Sequence, residues 1–375
     1  MKKISVFLLS LLFICLFTAC YSHNLCYAET PSSAKSMAVI EGNSRRLLYS
    51  KNCDEKLAMA STTKIATALT VLNNCEDINK EVAVSDLAVG IEGTSMYLRK
   101  GETLSIKDLL YGMMLPSGND ASMALAIAIG GTKDKFIDLM NEEAKKAGAF
   151  NTNFMNPHGL DEKGHYTTAH DLALITAKAM ENETFREIVN TKSVKIKGSE
   201  ANSYRFLRSK NKLFNMNEYC TGVKTGFTDN AGRCFVGCAE KDGMRVISVV
   251  LNCGPMFEEC NTLINKAFNE YKINCLLEPY KYQKKIPVKN GKQEDVKVFT
   301  RNGFSYPLKL SELSKVEIIY ELPNYVEAPI KKEAEIGELK IYFDNCLLFS
   351  EKIYTMEDVK EIGLLQNIKD IVAKW

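Results

Sequence analysis

The feature that most constrains this chain is a run of small and helix-forming residues, Ala58 to Leu69, in which Ser61 stands three positions before Lys64. Apolar residues recur at near-helical spacing after Lys64, so the sequence predicts a buried helix there. Side chains three positions apart lie on one helix face, about one turn from each other. A serine hydroxyl is a weak nucleophile until a nearby group takes its proton, and a desolvated lysine can be neutral enough to do so. The stretch therefore offers a nucleophile and a base, although S-x-x-K also occurs by chance in many helices.

Two later stretches favour the catalytic interpretation over chance. Ser117-Gly118-Asn119 follows an apolar segment that ends in Pro116, and Lys224-Thr225-Gly226 lies more than 100 positions further on. An S-x-x-K, an S-x-N and a K-T-G element together are the signature set of penicillin-recognising serine enzymes. Because all three occur here in that order, coincidence becomes a poor explanation.

The residues around these elements extend the match. The matching stretches are Ala60-Ser61-Thr62-Thr63-Lys64, Met114-Leu115-Pro116-Ser117-Gly118-Asn119-Asp120-Ala121, Asn156-Pro157-His158-Gly159-Leu160 and Gly222-Val223-Lys224-Thr225-Gly226-Phe227-Thr228. With them the chain resembles the serine-type D-alanyl-D-alanine carboxypeptidases of peptidase family S11, which are low-molecular-mass penicillin-binding proteins. The resemblance covers roughly residues 30–275 and extends into the region after them. It implies removal of the terminal D-alanine from peptidoglycan pentapeptide stems, inhibition by β-lactams, and no cofactor.

The resemblance also implies how the reacting groups are used. Ser61 attacks the carbonyl between two terminal D-alanines and forms an acyl-enzyme, which water then hydrolyses. Lys64 takes the serine proton, which requires a lowered pKa, and Lys224 is the candidate cation that lowers it. Ser117 relays a proton toward the leaving amine, and Asn119 hydrogen-bonds the substrate's backbone amide.

The remaining implied roles concern substrate binding. Lys224 and Thr225 hold the terminal carboxylate of the substrate, and Gly226 leaves room for the substrate chain to approach. The backbone N–H groups of the nucleophile and of Phe227 form the oxyanion hole. Arg245 is a further candidate for positive charge at the carboxylate. The more usual explanation is that it is an ordinary exposed arginine of a surface strand.

The first 28 residues have the pattern of a secretory signal peptide. Lys2 and Lys3 precede an apolar run from Ile4 to Ala19, and Cys26-Tyr27-Ala28 offers a small-residue cleavage site. An alternative is a lipoprotein signal that ends with lipidation of Cys20. Either interpretation predicts export to the cell wall or the outer face of the cytoplasmic membrane.

Charge and cysteine content restrict the partners of the exported chain. Without residues 1–28 it carries 46 basic and 46 acidic side chains, so its composition does not indicate nucleic-acid binding. Nine of the twelve cysteines remain, an odd number without the spacing of a disulfide framework or a zinc site. We therefore expect largely unpaired thiols and an anaerobic or reducing habitat.

The hydrophobic pattern predicts an α/β catalytic domain over residues 29–275. Met37–Ile40 and Arg46–Tyr49 flank a turn and should form a hairpin that opens a sheet. Together with the resemblance, this implies a β-lactamase/transpeptidase-like fold, an antiparallel sheet flanked by helices. The further predicted elements are a short strand at Gly93–Leu98, helices at Ile106–Met114, Asp120–Ile129, Lys133–Ala147, Thr168–Glu181 and Met256–Tyr271, and strands at Phe235–Ala239 and Arg245–Leu251.

The region after residue 275 has a different composition. Lysine and glutamate alternate with β-branched residues over 277–353, which predicts a small all-β domain without catalytic residues. In residues 356–375 apolar side chains recur at three- and four-residue steps, which predicts an amphipathic helix. That helix would either lie on the membrane as an anchor or dock on its own β domain.

Competing functions differ in what the sequence would need. His165 and His170 lack the ligand set of a zinc peptidase, so no metal is expected. A β-lactamase of class A needs a glutamate that positions water, and the stretch Asn153–Gly164 has no matching E-x-x-x-N arrangement. A D,D-endopeptidase could use the same site. A non-catalytic wall-binding protein would be expected to lack a motif residue, and none is missing.

Overall fold

The computed structural model describes residues 30–198, 200 and 203–363, so the predicted signal segment lies outside the described residues. The chain divides into two compact units between Glu270 and Tyr271. Within the described part of the chain, no helix combines the length and the apolar character needed to cross a bilayer.

The first unit contains short strands and longer helices in mixed order. Its strands are β1 (Ser36–Glu41), β2 (Leu47–Lys51), β3 (Glu81–Ala83), β4 (Thr103–Ser105), β5 (Ser193–Lys197), β6 (Tyr204–Arg208), β7 (Cys220–Thr228), β8 (Gly232–Lys241) and β9 (Met244–Leu251). Its helices are α1 (Lys64–Asn74), α2 (Ile106–Met114), α3 (Asn119–Gly130), α4 (Lys133–Lys146), α5 (Ala169–Ala179), α6 (Glu183–Asn190) and α7 (Met256–Glu270).

An antiparallel sheet of five strands, in the order β2-β1-β9-β8-β7, organises this unit. The predicted hairpin is confirmed as β1 and β2. The strands predicted at Phe235–Ala239 and Arg245–Leu251 are confirmed as β8 and β9, which pair with each other. Helix α7 packs on one face of the sheet and α5 on the other. Because helices cover both faces, β9 is apolar on both sides and its last six residues are all buried. The antiparallel sheet flanked by helices is the fold class that the sequence predicted.

Helix α1 is buried on nearly every side because α3, α4 and α5 surround it. Its small and β-branched residues allow this close packing. Two of its threonines satisfy their hydroxyls on backbone carbonyls: Thr67 donates to Pro157 at 2.6 Å and Thr70 to Ala66 at 2.8 Å. The predicted buried helix therefore lies at the centre of the first unit.

The segment predicted as a strand at Gly93–Leu98 is irregular instead. Its amides bond to the buried carboxylate of Asp120, which accepts hydrogen bonds from the amides of Met96 and Leu98 and from the hydroxyl of Ser95. Because a side chain satisfies these backbone groups, no partner strand is needed. The prediction was wrong because the carboxylate that bonds to these groups lies 22–25 positions away from them in sequence.

The described residues of the second unit, 271–363, form strands and one short turn of helix. Its strands are β10 (Lys272–Leu277), β11 (Tyr282–Lys289), β12 (Asp295–Thr300), β13 (Phe304–Leu308), β14 (Val316–Glu321), β15 (Val326–Glu327), β16 (Glu335–Phe343) and β17 (Cys346–Thr355). They form a six-stranded sheet, β14-β16-β17-β12-β11-β15, and a pair, β10-β13. Its core includes Val296, Val298, Leu339 and Ile341. The all-β character of this region agrees with the sequence.

The helix predicted to begin at Met356 is absent from residues 356–363, which form a bend and then a segment with two isolated β-bridges. Val359 bridges Ile330 and is buried in the β core, and Glu361 bridges Gly291. Val359 therefore packs in the core of the second unit and is not part of an exposed apolar stripe. The rest of the predicted helix, residues 364–375, lies outside the described residues.

Candidate active site

The nucleophile candidate Ser61 lies in a tight 3-10 turn, Ala60–Thr63, which leads into α1. Thr62 donates from its hydroxyl to the carbonyl of Met59 at 2.6 Å, and Thr63 to the carbonyl of Ala60 at 2.9 Å. These bonds fix the turn, while Ser61 lines an open groove. Its amide lies in the first turn of a helix, where N–H groups have no intrahelical partner.

Lys64 is fully buried, and its ammonium group has three oxygen neighbours. Its Nζ donates to Ser61 Oγ at 2.9 Å, to Asn119 Oδ1 at 2.7 Å and to the backbone carbonyl of His158 at 2.6 Å. The last two acceptors hold the amine against the serine hydroxyl. The predicted pair of nucleophile and base is therefore in direct contact.

Burial lowers the pKa of Lys64 well below its usual value, and the charges of Lys224 and Lys210 lower it further. The pKa of Lys224 is itself lowered to about 7, first by burial and then by Lys210. A lysine with a lowered pKa can be neutral near pH 7 and can accept a proton from a serine. Lys210, which is not among the residues predicted from the sequence, lowers the pKa of both amines.

Ser117 and Asn119 come from the turn that joins α2 to α3. Ser117 has a φ of +77°, is buried, and lines the same groove as Ser61. Asn119 accepts from Lys64 and donates from Nδ2 to the carbonyl of Glu92 at 2.6 Å. A side-chain amide has two hydrogens, so the second one stays available for a substrate group.

The edge strand β7 brings the K-T-G element beside the nucleophile. A Cβ added to Gly226 would lie 3.0 Å from the amide nitrogen of Ser61, tighter than an ordinary contact, so glycine favours this close approach. Lys224 is buried, and Thr225 and Phe227 line the groove. An edge strand leaves every second amide unpaired, which suits an oxyanion hole made from backbone groups.

The groove has a volume of about 460 Å³. It is lined by Ser61, Thr94, Ser117, Lys210, Lys212, Thr225, Gly226, Phe227, Arg233, Met256 and Phe257. The predicted residues Ser61, Ser117, Thr225, Gly226 and Phe227 thus meet in one cleft, with Lys64, Asn119 and Lys224 buried around it.

A buried loop between α4 and α5 supports Lys64 from behind. Asn156 accepts at Oδ1 from the amide of Gly159 at 2.7 Å, which shapes the loop around the carbonyl of His158. His165 contacts the hydroxyl of Thr63 through Nε2 at 2.9 Å. Burial lowers the pKa of His158 to about 3 and that of His165 to about 4, so both rings are neutral at pH 7.

A sequence-family model for D-alanyl-D-alanine carboxypeptidases, Peptidase S11, matches residues 26–254. The chain belongs to this family. A second family model, the C-terminal domain of penicillin-binding protein 5, matches residues 276–361. The chain is accordingly a serine-type D-alanyl-D-alanine carboxypeptidase, and neither a β-lactamase nor a binding protein is favoured.

Relatives of this carboxypeptidase match it over most of its length. DacF of Bacillus subtilis is 31% identical over 356 residues, which cover 93% of this chain and 91% of the relative. DacC of Escherichia coli is 31% identical over 92% of this chain and 89% of the relative. The crystal structure of penicillin-binding protein 5 from Haemophilus influenzae has a TM-score of 0.71 at 27% identity and covers 89% of this chain and 99% of that one.

The structure corrects the prediction for Arg245. This carboxypeptidase places Arg245 on β9 opposite Glu240, and their side chains pair at 3.2 Å. The strand register aligns Lys224 with Val236 and Val249, four positions further along β9. Arg245 is therefore held by Glu240 away from the groove.

Several contributors to the site carried no recognisable signal in the sequence. The carbonyl of His158 acts through the backbone, which every residue has, and the cation of Lys210 lies in a stretch without a recognisable motif. Arg233 lines the groove on the strand next to Phe227. Only the loop around His158 has a signal in the sequence, because Asn156-Pro157-His158-Gly159-Leu160 is one of the stretches that resemble the family.

Proposed function

We propose that this carboxypeptidase removes the terminal D-alanine of peptidoglycan pentapeptide stems through an acyl-Ser61 intermediate. The observation that carries the proposal is the 2.9 Å contact between Lys64 Nζ and Ser61 Oγ, made by a lysine whose pKa burial lowers. The neutral amine takes the hydroxyl proton as Oγ attacks the carbonyl carbon. Ser117, which lines the same groove, passes a proton to the leaving amine of D-alanine.

Substrate binding is assigned to the β7 side of the groove. Lys224 and Thr225 hold the terminal carboxylate, and Asn119 bonds to the substrate's backbone amide while it orients Lys64. The amides of Ser61 and Phe227 bind the oxyanion, and the closeness of Gly226 to the Ser61 amide supports this arrangement. Arg245 has no part in the mechanism.

β-Lactams should form a lasting adduct on Ser61. Asp161 accepts from Thr228 at 3.1 Å and Glu162 accepts from Asn156 at 3.0 Å, and neither carboxylate is bonded to Ser61 or Lys64. A class A β-lactamase uses a glutamate to activate the deacylating water. The chain offers no matching glutamate in this loop, so hydrolysis of a penicilloyl adduct is expected to be slow.

We also propose the cellular setting that the sequence predicted. Residues 1–28 direct export, and the mature enzyme works outside the cytoplasm on the wall. Residues 29–275 form the catalytic domain and 277–353 a β-rich accessory domain. Contact with the membrane is assigned to the apolar side chains of residues 364–375.

The experiment is intact-mass analysis of the mature protein and of Ser61→Ala after incubation with benzylpenicillin, together with D-alanine release from a pentapeptide mimic. We expect a stable adduct and D-alanine release with the wild type only. Rapid penicillin hydrolysis without an accumulating adduct would contradict the proposal in favour of a β-lactamase. Absence of both adduct and release in folded protein would contradict it in favour of a binding protein.

A further inference from the structure

The β5–β6 hairpin exposes a face of aromatic and basic side chains. This outer hairpin face consists of Lys195, Lys197, Tyr204, Phe206 and Arg208, which alternate outward along the two strands. Phe206 is 79% exposed and Tyr204 56% exposed. Large exposed rings placed side by side are uncommon on a surface that binds nothing.

The opposite face of the hairpin is anchored in the protein. Ile196 and Leu207 are buried, and Arg205 forms a bidentate ion pair with the buried carboxylate of Glu102, at 2.9 Å for one of its two bonds. Because these contacts hold the inner face of the hairpin in place, the side chains of its outer face keep a fixed arrangement. Such preorganisation lowers the entropic cost of binding.

The outer hairpin face carries positive charge that the protein itself does not neutralise. Lys195 lies over the ring of Tyr204, with Nζ 3.6 Å from the centroid, and 5.8 Å from that of Phe206. Among the described residues neither Lys195 nor Arg208 forms an ion pair, whereas Lys197 faces Glu81 at 3.4 Å. The face therefore suits a partner that combines apolar ring surfaces with negative charge.

This face continues along the chain into the active-site groove. Strand β6 ends at Arg208, and Lys210, two residues later, lines the groove with Lys212 and Ser61. Two residues of extended chain span only about 7 Å. A polymer whose peptide branch occupies the groove would thus meet the hairpin next.

We infer that the outer hairpin face is a second binding site for polymeric peptidoglycan. Sugar rings of the glycan pack on Tyr204 and Phe206, and carboxylates of neighbouring stem peptides pair with Lys195 and Arg208. The inference rests on the proposed function, because the assignment of the groove to peptidoglycan stem peptides is what identifies the polymer that the hairpin would bind. An anionic membrane offers similar charge, but it is not the substrate that reaches into the groove beside the hairpin.

The consequence is that the enzyme should differ in how strongly it binds soluble and polymeric substrates. A short peptide occupies the groove alone, whereas the polymer engages both sites and gains from the high effective concentration of the second. Removing the outer hairpin face should weaken binding to the polymer about tenfold, within the range that linked sites provide. Turnover of a soluble pentapeptide should not change.

The test uses the mature chain with two pairs of substitutions, Tyr204→Ala/Phe206→Ala and Lys195→Gln/Arg208→Gln. Binding is measured by cosedimentation with purified insoluble peptidoglycan in a Ser61→Ala background, and D-alanine release from a soluble pentapeptide with Ser61 intact. The control is Phe150→Ala/Lys145→Gln, which removes an aromatic residue that is 77% exposed and a lysine elsewhere on the catalytic unit. We expect both test variants, but not the control, to bind peptidoglycan about tenfold more weakly than the parent protein. Added salt should reduce the part of the binding that depends on Lys195 and Arg208.

Three results would overturn the inference. One is wild-type sedimentation of both test variants. Another is an equal loss of soluble-peptide turnover, which would make the hairpin part of the catalytic fold. The third is binding to phosphatidylglycerol vesicles, but not to peptidoglycan, that depends on these four residues. Failure of the wild type to release D-alanine from the soluble peptide would instead count against the proposed function, and sedimentation would still report on the hairpin.

Discussion

The Nζ of Lys64 lies 2.6 Å from the backbone carbonyl oxygen of His158, closer than it lies to Ser61 Oγ. This carbonyl is the acceptor that keeps the amine of the base in place behind the nucleophile. It belongs to a loop that meets the Ser61 turn at Gly159, where the two backbones approach closely. The position of the base thus depends on the shape of a loop whose residue His158 lies 94 positions away in sequence.

Replacing Gly159 should therefore damage both stability and acylation. Its φ is +91°, and a Cβ there would overlap the carbonyl of Ala60. Strain and overlap each cost on the order of 1–3 kcal/mol, so Gly159→Ala should lose about 3 kcal/mol of unfolding free energy. The measurements are the calorimetric transition and the rate of benzylpenicillin acylation, which should fall as the His158 carbonyl moves.

Gly101→Ala is the matched control for this prediction. Gly101 has a similar φ of +73°, but an added Cβ would meet no atom within 4 Å. It should cost about 1 kcal/mol from backbone strain alone and leave the acylation rate unchanged. Equal effects of the two variants would show that the loop contact does not hold the base.

Lys210 should set the pH dependence of acylation. Acylation needs Lys64 neutral, so its rate rises as pH rises through the pKa of Lys64. The charge of Lys210 lowers the pKa of both Lys64 and Lys224. Lys210→Gln therefore raises both pKa values, and the acidic limb of kcat/KM against pH should move to higher pH.

The alkaline limb should move in the same direction. Lys224, with a pKa of about 7, must stay protonated to hold the carboxylate, so the rate falls as pH rises through that value. Lys212→Gln is the control, since Lys212 lines the groove without acting on either amine. Limbs that do not move in Lys210→Gln, or that move equally in Lys212→Gln, would contradict the prediction.

The buried histidines should make the catalytic unit sensitive to acid. Burial lowers the pKa of His158 to about 3 and of His165 to about 4, below the usual 6.5 of the unfolded chain. Below pH 6.5 the unfolded chain binds protons that the folded one does not, so stability falls with falling pH. Each histidine should remove about 2 kcal/mol of unfolding free energy between pH 7 and pH 5.

This loss can be measured by calorimetry at stepped pH. The transition of the catalytic unit is the one that benzylpenicillin acylation shifts. In either variant, His165→Gln or His158→Gln, the slope of the unfolding free energy of this unit against pH should decrease by the contribution of one proton. An unchanged slope in both variants would show that other groups cause the acid sensitivity.

The cysteines should all titrate as free thiols. The described residues contain nine free cysteines, and five of them are buried. Burial raises the pKa of Cys234 to about 11 and that of Cys238 and Cys260 to about 12, which keeps these thiols protonated and unreactive. Without oxygen, the folded mature protein should react quickly at its exposed thiol, Cys275, and denatured protein should show about nine thiols in total. A denatured value near one would contradict this.

Many helices and strands of the fold were predictable from the local sequence, because apolar periodicity and helix caps determine secondary structure through residues only a few positions apart. The boundaries of α2 agree with the prediction, and the helix predicted from Thr168 is confirmed as α5, which Thr168 caps by accepting from the amide of Asp171. The predicted strand at Gly93–Leu98 failed because a distant carboxylate satisfies its amides. The helix expected from Met356 failed where Val359 enters the β core.

The sequence by itself determined which chemical groups this protein has. Ser61 and Lys64 face each other because helical geometry stacks residues three apart, so their contact was predictable from spacing alone. Tertiary structure decided which distant groups complete the site. It brought the His158 carbonyl to Lys64, gave the groove Lys210 and Arg233, and left Arg245 with Glu240. The reason is physical, because backbone carbonyls carry no sequence signal and a long-range charge acts only through a distance that the packed chain sets.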